Sequence, residues 1–414
     1  MLTKVALPSK TTTTTDPRGH NLELDALRGI AILGVVMFHI TTGWWNVVQV
    51  PLTVPLLRVD AMEVLFYGFY GLPLFFLLSG YLLTWTEEKR ARAAPYSVRS
   101  YFLRRVLRLA PAYYVAIIIT VVLWPEKSSA IDVLMHASFL HAFSPYTVNS
   151  LDPAWWSLTP EIVFYCLLPF IILKLRRVSQ RLALFGAFAL ISLATRLYTY
   201  QYGDPFALFS WDNSLPVQIF VIGTYFVHVS LAGVLLRMLV EHFNSRPDSS
   251  WLRPWLATAL FLIGTASIVV WVFFLGMQHP TTLFLQGNPL SILIGIPVEL
   301  AVIALFASAV LGSPLLGVVL KWRFLAFSGM ISYSMFLLHD MVLKVLVWPG
   351  YWVLSKNSPP PLSTAVRDWV AGQGSLAVWA GFFGYTLVIL AVVFPLSYLS
   401  YRYIERPFLS YRPK

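Results

Sequence analysis

Residues 26–40 read ALRGIAILGVVMFHI. The run is apolar enough to cross a bilayer, yet it carries Arg28 and His39. Eleven residues of α-helix turn through three revolutions plus about 20°, so the two side chains lie on one face, about 16 Å apart along the axis. Asp25, three residues before Arg28, shares that face and is placed to pair with it. Gly29 and Gly34 are small enough to let other backbones approach closely. Ionisable groups inside a membrane are functional by default. For Arg28 the alternative is snorkelling to the inner surface; for His39 it is a bond to a neighbouring carbonyl.

The remainder of the chain has the composition such a helix demands. Of 414 residues, 57% are hydrophobic and 12% are charged, against about 25% charged in a soluble domain. The fold class expected is all-α, a polytopic membrane bundle. Residues 1–21 contain a Thr run and prolines rather than the apolar core of a signal peptide, and read as a disordered cytoplasmic tail. Windows of spanning length fall at 27–46, 66–85, 107–124, 155–173, 182–199, 216–236, 256–276, 291–311, 325–347 and 377–401, ten in all. A short interfacial helix is expected at 131–143, and neither internal repeats nor paired broken helices are found.

With the N-terminus inside, the inside segments hold Lys4, Lys10, Arg18, the basic run from Lys89 to Arg108, Lys174 to Arg181, Arg237, Arg246, Arg253, Lys321, Arg323 and the basic residues from Arg402 to Lys414. The outside loops hold only Arg58, Lys127, Lys356 and Arg367. Biosynthesis places Lys and Arg inside, which predicts ten spans with both termini cytoplasmic. The net charge of +11 then faces anionic lipid, and no basic soluble domain remains for a nucleic acid. A single cysteine, Cys166, excludes an intramolecular disulfide and a thiolate-rich metal site, so no metal is expected.

Further polar groups interrupt the apolar windows. GLPLFFLLSGYLLT (71–84) ends the second, YFLRRVLRLAPAYY (101–114) opens the third, and AWWSLTPEIVFYCLLP (154–169) puts Glu161 near the outer end of the fourth. SGMISYSMFLLHD (328–340) puts His339 and Asp340 in the ninth, and YRYIERPF (401–408) closes the bundle. Together these residues resemble the acyltransferase-3 family of integral membrane O-acyltransferases. The marks are Arg28-x10-His39, FF-x-x-SG-x-L, RR-x-x-R-L-x-P-x-YY, W-S-L-x-x-E-x-x-FY, SYS-x-x-L-x-H and E-R-P-F, in one order over nearly the whole chain.

The resemblance implies a multi-pass cell-membrane enzyme over residues 22–414. It implies transfer of an acyl group, acetyl in the first instance, from cytoplasmic acyl-coenzyme A to a hydroxyl on a glycan, lipid-linked sugar or glycosylated small molecule at the outer face. Acyl-coenzyme A is then a co-substrate, and no tightly bound cofactor is expected. Many relatives carry an acidic residue where this chain has Pro73, and many fuse a soluble esterase-like domain after the bundle. This sequence ends at Lys414, so the acceptor is expected to come to the membrane.

Transfer from a thioester to an alcohol needs a base, a clamp for the donor and stabilisation of an oxyanion. His39 suits the base, since a neutral imidazole accepts a proton near physiological pH. Arg28 is placed to meet the diphosphate or pantetheine end of the donor. Arg104, Arg105 and Arg108, read as one cytoplasmic face, are candidates for its phosphates because guanidinium forks match phosphate geometry; the alternative is a pure topology signal.

Glu161 either orients His39 or binds the acceptor, unless Thr159, Pro160 and Glu161 are simply a helix start. Trp156 is a candidate sugar platform, although Trp155 and Trp156 suit an interface belt better. His339 and Asp340 either line the same cavity or bond backbone. Tyr113, Tyr114 and Tyr165 read as packing, the SG of Ser79–Gly80 as close helix contact, and Cys166 as apolar filler. Glu299 and His228 fit no motif. The rival function is a transporter or flippase of a glycolipid or small amphiphile, which would also use buried His, Glu and Arg; a third is a non-enzymatic scaffold.

Overall fold

A computed structural model describes residues 22–48, 50–54, 59–144, 146–202, 226–245, 252–278, 290–347 and 364–410. The tail at 1–21 and the start of the window at 216–236 lie outside the described residues. What is described is helical apart from one two-residue antiparallel pair, Thr53–Val54 with Val59–Asp60. The all-α bundle expected from composition is the observed class.

Helix α1 (Leu22–Val48) carries Glu23 and Asp25 in its first turn, where carboxylates complement the helix dipole. Then come α2 (Ala61–Phe66), α3 (Gly71–Ala93) and α4 (Val98–Leu123). Ser97 caps α4 by accepting a bond from the Ser100 amide. The short α5 (Ala130–Ala137) has a Ser129–Asp132 capping box and is followed by a 3-10 turn at His141–Phe143, so short helical segments occupy the stretch 131–143. A second 3-10 turn, Pro153–Ser157, leads into α6 (Leu158–Lys174). The fourth span therefore begins at Pro153 and runs 22 residues, and Glu161 sits inside it, not at its cap.

The later helices are α7 (Val178–Tyr202), α8 (Val227–Ser245), α9 (Leu252–Gln278), α10 (Leu290–Val310), α11 (Pro314–Leu320), α12 (Arg323–Met330), α13 (Ser332–Val347), α14 (Thr364–Ala371) and α15 (Gly374–Ser400). A π-helical turn, Tyr401–Glu405, joins α15 to α16 (Arg406–Ser410). Among the described residues seven helices are long and apolar enough to cross a membrane, or up to nine if each of two bent pairs is one span. Those pairs correct the sequence reading, which found no broken helices. Gly295–Val310 with Pro314–Leu320 bends by 89°, and Arg323–Met330 with Ser332–Leu346 by 77°. The window at 325–347 is therefore not one straight helix.

Close crossings hold the bundle where the site lies. A Cβ at Gly29 would collide with the Leu325 carbonyl of α12, and one at Gly329 with the Asp25 carbonyl of α1. The α1–α12 contact is thus backbone against backbone, which fixes Arg28 beside the bend at Ile331. Gly80 meets the Ser230 carbonyl of α8 in the same way, as its SG dipeptide led us to expect. Apolar side chains such as Leu262, Ile263, Phe383, Leu387 and Val388 stay exposed on the outside of α9 and α15, the surface that lipid covers in a membrane bundle. Cys166 is exposed as well.

Candidate active site

The first chamber is a cavity of about 140 Å³ walled by α1, α3, α4, α6 and α13. Arg28, Arg105, Arg108, Glu161, Tyr165, Ser79 and Tyr333 contribute its polar lining. Arg28 is paired with Asp25 at 2.6 Å, as the spacing predicted. Arg105 has no carboxylate partner among the described residues. Its guanidinium stands over the rings of Tyr101 at 5.9 Å and Tyr165 at 5.8 Å, contacts that orient a guanidinium without neutralising it. Arg108 lies over the Tyr333 ring at 5.7 Å and reaches Glu405 at 3.5 Å.

Arg104 is a correction. It does not line the chamber but pairs at 2.8 Å with the fully buried Glu87, which Arg90 also contacts. Successive helical residues point about 100° apart, so Arg104 and Arg105 diverge; Arg108 is within a turn of both, and Arg105 is the one that lines the chamber with it.

Glu161 accepts bonds from Ser79 Oγ at 3.3 Å and from the Tyr165 hydroxyl. Tyr165, read as packing from the sequence, therefore connects Glu161 with Arg105. The distant motifs also meet physically. Tyr333 donates to the Leu109 carbonyl at 2.9 Å, Ser334 donates to Glu405, and Arg108 reaches that same carboxylate. The terminal motif thus closes the basic side of the chamber, and the π turn aims Glu405 inward; such turns frequently mark functional sites.

The second chamber contains His39. It measures about 30 Å³ and is lined by Val35, Phe38, His39, Phe69, Leu72, Ala154, Trp156 and Phe336. Nδ1 of His39 lies 2.9 Å from the Val35 carbonyl. A carbonyl only accepts, so Nδ1 carries the hydrogen and Nε2 of the neutral ring is left as an acceptor. The His339 ring stands edge-on to His39 at 4.7 Å. Its Nδ1 donates to the Phe336 and Met335 carbonyls at 2.8 and 3.1 Å, and its buried Nε2 has no partner.

Leu72 and Phe336 line both chambers and form the partition between them. Glu161 lies on the arginine side of it and Trp156 on the histidine side. The two alternatives for Glu161 are therefore unequal, since His39 is oriented by the Val35 carbonyl. Trp155 and Trp156 are buried, and Trp155 donates to the Leu337 carbonyl at 3.3 Å, so neither belongs to an interface belt. Beneath Trp155 the rings of His136 and His141 stack at 4.2 Å. Outside the spans, burial holds these two down to about 4 and about 3, which keeps both neutral.

Asp340 lines neither chamber. It pairs with Lys344 at 2.7 Å, and Lys344 reaches Asp152 at 3.2 Å. Lys344 and Asp152 escaped the sequence reading, although a lysine inside an apolar run at His339 plus five was the available signal. Glu299 and His228, without a motif, form a buried cluster with Arg196: Arg196–Glu299 is 2.6 Å and His228–Glu299 is 3.3 Å. Among the described residues no group of three or more metal-ligating side chains is found.

The profile of an acyltransferase domain, that of the acyltransferase-3 family, matches residues 21–402. The chain belongs to this family. It is similar to an O-acetyltransferase of Staphylococcus aureus, 24% identical over 409 residues that cover 93% of this chain and 56% of that one. A Bacillus subtilis protein with the provisional name of peptidoglycan O-acetyltransferase is 25% identical over 408 residues, 93% of this chain and 54% of the other. A second Staphylococcus aureus protein, provisionally an O-acetyltransferase, is 23% identical over 418 residues, 94% and 58% of the two chains. This chain spans just over half the length of the curated relatives it matches. No solved structure matches it.

Proposed function

We propose that this chain is a cell-membrane O-acetyltransferase that takes its acyl group from cytoplasmic acyl-coenzyme A. The acceptor is a hydroxyl of a carbohydrate or glycosylated molecule at the outer face. The observation that carries this reading is the pair of chambers: Arg105, paired with no carboxylate among the described residues, on one side of the Leu72–Phe336 partition, and a histidine whose Nδ1 is bonded to Val35, leaving Nε2 as the acceptor of the neutral ring, on the other. Arg105 and Arg108, with Arg28 beside them, hold the phosphates, and the pantetheine arm passes the partition.

Nε2 of His39 takes the proton of the acceptor hydroxyl as its oxygen bonds to the thioester carbon. The C–S bond then breaks, and the thiolate recovers that proton from His39. The net products are an ester and free coenzyme A, with no change in proton count. The relatives' names support acetyl as the group and a sugar hydroxyl as its destination. A transporter is less well supported: broken helices in inverted repeats occupy corresponding positions in two halves, whereas both bends here follow one another between residues 295 and 346.

The test is purified full-length protein given labelled acetyl-coenzyme A and a panel of sugar acceptors. Acceptor-dependent release of coenzyme A with label on the sugar supports an acyltransferase; absence of release with every acceptor, in protein that still binds coenzyme A, overturns it. A chamber of about 30 Å³ admits roughly one water-sized group, so the partition must part for thioester and hydroxyl to meet. Leu72→Trp is therefore expected to lower turnover by roughly 10²-fold, on the scale of small misplacements of reacting groups. Coenzyme A binding, measured by equilibrium titration, should persist.

Ten spans with both termini inside belong to the same proposal. In a Cys166→Ser background, Tyr146→Cys, in the exposed turn after α5, should react with an impermeant maleimide on intact cells, and Ala94→Cys, between α3 and α4, should not. The reverse pattern would invert the bundle.

A further inference from the structure

Lys344 is a buried lysine in a helix otherwise made of Ser, Tyr, Met, Phe, Leu, Val and the His339–Asp340 pair. Its ammonium bridges two carboxylates that belong to different parts of the chain. One is Asp340, a turn earlier on α13, at 2.7 Å; the other is Asp152, at 3.2 Å, just before the Pro153–Ser157 turn. Asp152 is itself fixed, because its other oxygen accepts the Ala154 amide at 2.9 Å and so caps that turn. The turn presents Ala154 and Trp156 to the His39 chamber, and α13 presents Phe336 to it and His339 to the His39 ring. Asp340 directly follows His339, whose ring lies against His39 at 4.7 Å.

We propose that Lys344 is a positioning residue for acyl transfer: it ties the Trp156-bearing turn to α13 and holds Asp340 as a paired carboxylate beside the two histidines. This rests on the acyltransferase reading and adds a role that the donor and base assignments do not need. The physical case is the cost of the arrangement. Three charged groups removed from water are costly to bury, and a bundle that needed only packing would place leucine at 344. Removing the ammonium leaves two carboxylates without their shared cation, so either they repel or one protonates. In both cases the turn and α13 lose their ionic tie and keep the Trp155–Leu337 hydrogen bond, and the wall of a chamber with room for about one water-sized group shifts. His339 meets the His39 ring, Asp340 follows it on α13, and Lys344 joins Asp340 to Asp152 of the turn.

The experiment compares Lys344→Met, Lys344→Arg and Asp152→Asn with wild type, full length and in lipid nanodiscs. Lys344→Met should lower kcat roughly tenfold to a hundredfold with little change in donor KM. Lys344→Arg keeps a cation able to reach both carboxylates and should recover most of that loss. Asp152→Asn, nearly isosteric and able to keep the turn cap, should lower kcat as Lys344→Met does. Wild-type kcat in Lys344→Met, or equal losses in the Met and Arg variants, overturns the proposal. If Lys344→Met does not fold, Asp152→Asn decides: unchanged kcat overturns it.

A readout independent of turnover separates this failure from failure of the acyltransferase reading. Carbethoxylation of the His39 peptide at pH 7, followed by mass spectrometry, should quicken several-fold in Lys344→Met, because the turn and α13 that wall in the ring are less firmly tied. An unchanged rate overturns the Lys344 proposal even if no acceptor is ever turned over. A quickened rate together with no transfer in wild type leaves the geometry standing and sinks the reaction.

Discussion

His39→Gln, in protein that inserts normally, is expected to lower kcat by about 10²–10⁴-fold, the usual contribution of a general base. The donor KM should barely move. The Val35 carbonyl at 2.9 Å can only accept, so the hydrogen sits on Nδ1 and Nε2 carries the lone pair of the neutral ring. Glutamine keeps a polar group of similar reach and can still satisfy the carbonyl through its amide, so it tests proton acceptance apart from the hydrogen bond. The donor is expected to be held on the other side of Leu72 and Phe336, about 16 Å down the helix, which is why KM is spared. The measurement is steady-state release of coenzyme A at saturating acceptor. Near-normal turnover in His39→Gln would reduce His39 to a structural partner of its own helix. The base would then have to be His339, whose buried Nε2 lacks a partner; Glu161 lies beyond the partition and Asp340 is committed to Lys344.

What the sequence made legible follows from what periodicity encodes. The rotation between residues 28 and 39, the Asp25–Arg28 pair and the glycine crossings are properties of one helix, and spacing alone specifies them. The grouping of Arg104 with Arg105 on one face is limited by the same geometry, since a 100° step separates neighbours; Arg108 is near both by spacing, and only the fold shows that Arg105 accompanies it in the chamber. The bends at 312–313 and at Ile331 were invisible because both halves of each pair are apolar, and hydropathy records composition without direction. Lys344, Asp152 and Tyr165 were missed because their roles exist only between elements: Lys344 on α13 meets a carboxylate 192 positions earlier, and no local pattern carries that contact. Glu405 and Ser334 were inside recognised motifs, yet only the folded bundle brings them to Arg108.

Arg105→Ala combined with Arg108→Ala is expected to raise the donor Kd by roughly 10²-fold or more while leaving acceptor KM nearly unchanged. A hydrogen bond to a charged group is worth about 1.5–3 kcal/mol net, and each 1.4 kcal/mol is a factor of ten, so two guanidiniums on a phosphate suffice for that loss. The two differ in what they give up. Among the described residues Arg105 has aromatic faces and no directly paired carboxylate, whereas Arg108 is shared with Glu405 at 3.5 Å. Arg105→Ala alone should therefore account for the larger part. Arg105→Lys should recover little, because an ammonium neither stacks between Tyr101 and Tyr165 nor offers a planar fork. Arg104→Ala is the internal control. Its guanidinium serves Glu87, so its loss should lower thermal stability and leave donor affinity close to wild type. Coenzyme A titration of the detergent-solubilised variants, with Tm recorded beside it, distinguishes the cases. If Arg104→Ala weakens the donor as much as Arg105→Ala does, the first chamber is not the donor site, and the basic cluster returns to being a signal of membrane orientation.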